Sequence, residues 1–323
     1  MRTITLEEHY GSPAFLTGPG RELQDRAKEF TGPRANLIDQ LTDVGRGRIA
    51  EMDAAGIDVQ VLSLTAPGVE QLDAADAIAV SRASNDFIAR AITSHPARFA
   101  AFAAIPTPAP AEAAAELQRT VHTYGFKGAM VNGHVRGRYL DDPFFRPILE
   151  CAESLDVPIY LHPTEPPPAV VDTYYRGFSP AVSYMFANAG WGWHIETAVH
   201  VIRLVLGGVF DRFPRLQVIV GHLGEGLPFM IHRLDNMPPP MTKLHRPVSA
   251  YLRENMYYTF SGFNFPATFL DVWLEIGADR LMFSADYPYA PMAAARAFLD
   301  QLPVRPIDRE RIAHGNAERL LKM

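Results

Sequence analysis

Thr3-Ile4-Thr5-Leu6-Glu7-Glu8-His9-Tyr10 reads as a β-strand that ends in metal ligands. Apolar and β-branched residues lead into Glu7 and His9. Side chains alternate across a strand, so residues two apart face the same side. Glu7 and His9 are thereby expected to share one ion, with Glu8 turned to the opposite side and left out. One such strand end decides little, because Glu and His near a chain end are usually solvated. The arrangement recurs, however, at three further strands. Val157-Pro158-Ile159-Tyr160-Leu161 runs into His162, Leu216-Gln217-Val218-Ile219-Val220 runs through Gly221 into His222, and Leu281-Met282-Phe283-Ser284 runs through Ala285 into Asp286. Each is a near-continuous apolar run, the pattern of a strand buried on both faces of a parallel sheet.

Outward from these strands the chain alternates strands and helices. Further strands are expected at 59–64, 99–105, 128–132 and 256–260. Helices are expected at 49–55, 74–94, 110–123, 143–155, 196–210, 226–234 and 267–276, and from Pro291 and Pro306 onward. Eight strands alternating with helices over 323 residues predict a (β/α)8 TIM barrel forming a single domain, 1–323, since such a core takes about 250 residues. The surplus falls in loop insertions at about 11–45, 163–193 and 236–250, the first expected as an irregular lobe over the strand end. In such barrels the βα loops surround the active site at the C-terminal strand ends. Glu7, His9, His162, His222 and Asp286 should then converge at one mouth. The runner-up, a doubly wound open sheet, is weakened because no G-x-G-x-x-G follows a strand and no G-x-x-x-x-G-K-[ST] loop is present.

Hydrophobic residues make up 48% of the chain and charged residues 20%, the composition of an ordinary globular protein. A net charge of −6 offers no basic patch for nucleic acid or acidic membranes, so neither is expected as a partner. The single cysteine, Cys151, cannot form an intramolecular disulfide, which fits a reducing compartment; it is expected as a buried, inert thiol on a helix. No signal-peptide pattern precedes the first strand and no apolar run reaches the roughly 18 residues of a membrane span. A cytoplasmic protein is the expectation.

Taken together, Leu6-Glu7-Glu8-His9, Tyr160-Leu161-His162-Pro163, Gly221-His222-Leu223-Gly224-Glu225 and Phe283-Ser284-Ala285-Asp286-Tyr287-Pro288 resemble the amidohydrolase superfamily. More narrowly they resemble its decarboxylase branch, which acts on γ-resorcylate, 2,3-dihydroxybenzoate, 5-carboxyvanillate and aminocarboxymuconate semialdehyde. The similarity extends through Leu62-Ser63-Leu64, Val131-Asn132-Gly133, Glu196-Thr197-Ala198-Val199-His200 and Gly315-Asn316-Ala317. Most superfamily members carry His-x-His at the first strand, where this chain has Glu7. Members with two metals tend to use a carboxylated lysine at the end of strand four. Of the four lysines here only Lys127 is near, at that strand's beginning, so a single divalent ion is expected.

The resemblance implies that Glu7, His9, His162 and Asp286 are the metal ligands. Two imidazoles and two carboxylates suit Zn2+ or Mn2+ with one or two positions left for water or substrate. His222 belongs just outside that set, holding Asp286 or a substrate oxygen or moving a proton. The implied reaction is non-oxidative decarboxylation of a small hydroxybenzoate-like acid. Asp286 would protonate the ring carbon that bears the carboxylate, His222 and Glu225 would set its protonation, and no organic cofactor is needed. Arg233 and Asn132 are candidate substrate contacts, against plainer roles as an ion pair and as the turn before Gly133. Tyr174, Tyr175, Phe178, Tyr184, Phe186, Trp191 and Trp193 would wall an aromatic pocket or bury the interface of a homodimer or homotetramer. Glu196 and His200 read as structural, and His134, His194, His232 and His314 carry no functional expectation. The rival is a metal-dependent hydrolase or hydratase, in which the ion activates water and Asp286 or His222 acts as general base. Glu-x-His and the poor case for a bridging lysine favour the lyase. A non-catalytic binding barrel would be expected to have lost a ligand, and none is lost.

Overall fold

Strands buried on both faces can satisfy their backbone only through each other. In the computed structural model, which describes residues 1–28 and 35–323, they do so in parallel. The strands are β1 (Ile4–Tyr10), β2 (Val59–Leu64), β3 (Phe99–Ala101), β4 (Ala103–Ala104), β5 (Ala129–Asn132), β6 (Ile159–His162), β7 (Val218–Val220), β8 (Met256–Thr259) and β9 (Leu281–Met282). β1-β2-β3 form one ladder and β4 through β9 another. The β3–β4 break is a single residue. Phe102 donates back to Leu62 O at 2.9 Å while Ala103 donates forward to Gly128 O at 2.8 Å, so one strand serves both ladders. At the other seam a parallel bridge joins Leu6 to Ser284. The arrangement is a (β/α)8 barrel whose β9–β1 seam rests on an isolated bridge rather than a continuous ladder.

Alternate strand residues fill the inside. Ile4, Leu6, Val59, Val61, Ala100, Phe102, Met130, Tyr160, Ile219, Tyr257 and Met282 form one buried cluster, with Ala317 and Leu321 of the last helix against it. The opposite faces pack on the helices in a larger cluster. Strict alternation would therefore turn Glu7 away from Leu6 and out of the barrel. It does not, because the β1–β2 register shifts between Thr5 and Glu8 and Glu7 adopts φ +64°. This bulge adds one residue and re-aims the strand end, so that Leu6, Glu7 and His9 all face inward.

The insertions carry more structure than their composition suggests. Segment 11–45 holds helices Pro13–Thr17, Arg21–Ala27 and Leu37–Thr42, the first capped by Ser12 Oγ, which accepts from Phe15 N at 3.1 Å. Positions 29–34 of that segment lie outside the described residues. The 163–193 connection contains helix Pro180–Ala187, and 236–250 runs into helix Val248–Glu254. The helix expected at 196–210 is Gly192–Leu206. Gly207 and Gly208 then break it before a short helix Val209–Arg212, as two glycines do where backbone entropy is not offset by packing. The last strand is also shorter than expected: the Phe283 N–H goes to Ile312 O at 3.0 Å and the Ala285 N–H to a side chain, Glu8 Oε1, at 2.8 Å.

Candidate metal centre

The inward bulge at Glu7 sets a buried carboxylate at the top of the barrel. Its Oε2 accepts hydrogen bonds from the Tyr160 hydroxyl and Ser261 Oγ, while Oε1 has no hydrogen-bond partner. That free oxygen lies 3.5 Å from Nε2 of His162 and 3.5 Å from Nε2 of His222. His9 stands edge-on to His162, ring centroids 4.9 Å apart, and its Nε2 lies 3.2 Å from Asp286 Oδ1. Neither ring nitrogen of His9 nor Nδ1 of His162 makes a hydrogen bond. An unsatisfied buried polar atom costs about 1–3 kcal/mol, so native proteins leave few of them. Here four fall on three neighbouring side chains, and Glu7, His9 and His162 each offer a ligand atom within 4.8 Å of the others. The donor set of two imidazoles and two carboxylates, counting Asp286, fits a divalent cation that would satisfy these atoms.

The electrostatics of these side chains agree. Burial holds the His162 imidazole well below its ordinary pKa, with the neighbouring His9 and His222 adding to the effect, so it is neutral and able to ligate. Burial also raises the Glu7 carboxyl, against the lowering influence of His222 and His9. His222 goes the other way. Burial opposes its charge, but the Glu225 and Glu7 carboxylates outweigh that and lift it to about 10. Glu225 is lowered despite its burial by His222 and His194.

Backbone strain gathers at the same place. Glu7, His222, Leu223, Glu225, Ser261 and Asp286 all have left-handed φ between +46° and +65°. Such conformations cost about 1–3 kcal/mol each outside glycine and persist where the surroundings impose them, commonly at functional sites. Gly221 is required for a different reason. A Cβ there would stand 2.5 Å from Glu7 Oε2, so only glycine lets this strand pass the carboxylate.

Of the residues expected at the site, Glu7, His9, His162, His222 and Asp286 converge as described, and Glu225 joins them through His222 Nδ1, which donates to Glu225 Oε1 at 2.7 Å. Asn132 pairs in register with His162 at the β5–β6 ends. It is buried, its N–H donates to Glu70 Oε1 at 3.0 Å, and its Oδ1 is without a partner. Arg233 is exposed on helix Leu227–Leu234, and among the described residues no hydrogen bond or ion pair ties it to the cluster. Of the seven aromatics, Trp193 faces His162 at 6.4 Å, whereas Tyr174, Phe178, Tyr184 and Trp191 are exposed. Glu196 accepts from the Tyr139 hydroxyl and His200 Nε2 from Leu140 N at 2.9 Å, tying the loop after β5 to its neighbouring helix. Cys151 is only half-buried, with burial raising its thiol.

Several participants were not anticipated. His194, expected to have no role, donates from Nδ1 to Glu225 Oε2 at 2.6 Å and packs 4.6 Å from the His222 ring. Helix Gly192–Leu206 begins early enough to carry it there, and no strand-end pattern marks such a position. Tyr160 and Ser261, the two donors to Glu7, read as core and loop. Tyr160 is nonetheless two residues before His162 on one strand, a same-face relation that is visible in the sequence. Glu70, buried and raised to about 7 by that burial, accepts from Asn132 and Val69 N–H groups and left no signal. Glu8 is fully buried too, and its burial raises it to about 8.

A sequence model of a family described as amidohydrolase matches residues 41–323. A γ-resorcylate decarboxylase from a Rhizobium species is 39% identical over 99% of this chain and 98% of its own length. Among solved structures, 2,6-dihydroxybenzoate decarboxylase in complex with 2,6-dihydroxybenzoate superposes with a TM-score of 0.89 at 38% identity, covering both chains fully. A dihydroxybenzoic acid decarboxylase from Polaromonas with bound manganese and the inhibitor 2-nitroresorcinol gives 0.90 at 36% identity, over 99% of this chain and 97% of that one.

Proposed function

The chain belongs to the amidohydrolase family, and from that premise we propose that it is a metal-dependent, non-oxidative decarboxylase of a small hydroxybenzoate-like acid. The observation that carries the reading is the set of orphaned, buried ligand atoms on Glu7, His9 and His162, with Asp286 beside His9. We assign these four side chains as the ligands of one divalent ion. Manganese is favoured over zinc, supported by the two carboxylates in the donor set and by the manganese in the Polaromonas relative. When bound, such an ion supplies Lewis-acid polarisation to a carboxylate and an adjacent hydroxyl.

The chain's own groups do the rest. Tyr160 and Ser261 tie down Oε2 of Glu7, so that Oε1 is presented inward. Asp286 is the most exposed of the four side chains, 18% against 0% for Glu7 and His9 and 6% for His162, and so the one a substrate reaches. Its carboxyl gives a proton to the ring carbon bearing the carboxylate. The carbon–carbon bond to that carboxylate then breaks, its electron pair returns to the ring, and carbon dioxide leaves. Glu225, held by both His194 and His222, fixes the His222 ring so that Nε2 faces Glu7 and the acid site. Asn132, with an unpaired Oδ1 beside His162, is assigned to a substrate hydroxyl. The exposed Tyr174, Phe178, Val182, Met185 and Trp191 of the 163–193 insertion support self-association as a homodimer or homotetramer. No described helix is long and apolar enough to cross a membrane, and a single free cysteine supports a cytoplasmic location.

The test is a panel of ortho-hydroxybenzoates assayed for carbon dioxide release, beside lactone and amide hydrolysis. Carbon dioxide with a decarboxylated phenol is expected. Hydrolysis without carbon dioxide would replace this reading with the hydrolase.

A further inference from the structure

Glu7 and His9 belong to β1, whereas Asp286 lies beyond β9, so the ligand set is divided across the weakest seam of the barrel. A continuous ladder would fix the two sides mutually; among the described residues the backbone contacts across it are the Leu6–Ser284 bridge, with Leu6 N donating to Phe283 O at 3.2 Å, and a 2.7 Å hydrogen bond from His9 N to Tyr287 O. A buried side chain adds to them. Glu8 stands between the two β1 ligands and is 0% exposed. Its Oε1 accepts from Ala285 N at 2.8 Å and its Oε2 from Tyr287 N at 3.2 Å, the residues on either side of Asp286. We propose that Glu8 is a positioning residue for the metal centre, holding Asp286 at its working distance from Glu7 and His9; the proposal rests on the ligand assignment above.

A carboxylate suits this task and its neighbours do not. Two main-chain N–H groups approach its two oxygens, and a third donor, Gln60 Nε2, lies 3.2 Å from Oε2. An amide in its place would turn an NH2 toward a backbone N–H. Aspartate is one methylene too short to reach across. Asp286 needs such holding because its own backbone is left-handed, φ +65°. The β1 side is anchored as firmly. Arg48, also 0% exposed, donates from Nη2 to His9 O at 2.6 Å and to Gln40 O at 2.9 Å, and its Nη1 meets Gln60 Oε1 at 3.5 Å. Glu8, Gln60 and Arg48 thus form one buried chain from the flanks of Asp286 to the carbonyl of His9. Groups that orient metal ligands typically change metal affinity by about 10–100-fold when removed.

The experiment is a calorimetric titration of metal-free Glu8→Gln and wild-type protein with Mn2+. It is paired with visible absorption of the Co2+-substituted proteins and the melting of both metal-free forms. The expected result is an Mn2+ affinity lowered about 10–100-fold and altered Co2+ bands. Wild-type affinity and wild-type Co2+ bands, with only the melting temperature moved, would overturn the proposal and leave Glu8 a structural residue. Wild-type protein that takes up no ion would overturn the ligand assignment itself, and this proposal with it. If Glu8→Gln does not fold, Gln60→Leu removes one donor and leaves both backbone contacts. A several-fold loss of Mn2+ affinity is then expected, and an unchanged affinity refutes the proposal.

Discussion

Tyr160→Phe isolates one contact of the centre. The Tyr160 ring is fully buried against Phe102, centroids 5.6 Å apart, and the phenyl ring keeps that packing. Only the hydroxyl is lost, and with it one of the two donors to Glu7 Oε2, the other being Ser261 Oγ. A hydrogen bond to a charged group contributes about 1.5–3 kcal/mol. At about 1.4 kcal/mol per factor of ten, the Mn2+ dissociation constant should rise about 10–100-fold. The lower end applies if Ser261 and Thr259, which also bonds the Tyr160 hydroxyl, close up on the carboxylate. Because the contact orients a ligand and does not touch the reacting carbon, saturating Mn2+ should restore most of the turnover. Titration of the metal-free variant by calorimetry reads the affinity directly. An affinity within about twofold of wild type would refute the claim that Oε2 is held so that Oε1 can bind.

Asp286→Asn should abolish turnover while the protein stays folded, judged by circular dichroism and melting; wild-type rates would remove Asp286 as the proton donor. His162→Ala should lose the ion, so that elemental analysis finds about one transition-metal ion per wild-type chain and almost none in the variant. A variant that keeps its metal would exclude His162 as a ligand. His200 gives a pH prediction away from the centre. Burial lowers it to about 3, and its Nε2 accepts the Leu140 N–H. Below its ordinary value of 6.5 the unfolded chain takes up a proton that the native state refuses until about 3, so this contribution to stability is full above that window and declines as pH falls. The limiting slope is about 1.4 kcal/mol per pH unit. His200→Gln keeps an acceptor and cannot titrate. Between pH 6.5 and 5, urea unfolding should show wild type losing about 1.5 kcal/mol more than the variant, and equal losses would contradict a buried neutral His200.

The barrel and four strand ends are legible because parallel strands buried on both faces read as apolar runs, and Glu7, His9, His162 and Asp286 interrupt those runs at their C-terminal ends. What makes Glu7 usable was not legible. Alternation alone turns it away from Leu6, and the bulge that corrects this comes from the pairing of β1 with β2. The same alternation leaves Glu8 without a role, since a side chain leaving the strand's inner face gives no hint that it reaches the backbone beyond β9. His194 sits on a helix that starts at Gly192, four residues before the start its sequence suggests, and the contact it makes depends on where the 163–193 insertion folds back. Arg233, eleven residues after His222, is exposed on its helix, and its contact with substrate stays a proposal. The short helices of the insertions are masked in the sequence by frequent Pro and Gly, although Ser12 before Pro13 is an ordinary cap-and-start signal.

The most direct test of the account is to strip the purified protein with a chelator, add back Mn2+, and follow carbon dioxide and phenol formation from an ortho-hydroxybenzoate such as 2,6-dihydroxybenzoate at each stage. The account predicts equimolar carbon dioxide and decarboxylated ring product, lost on stripping and recovered with about one Mn2+ per chain; full turnover by the metal-free protein would contradict it.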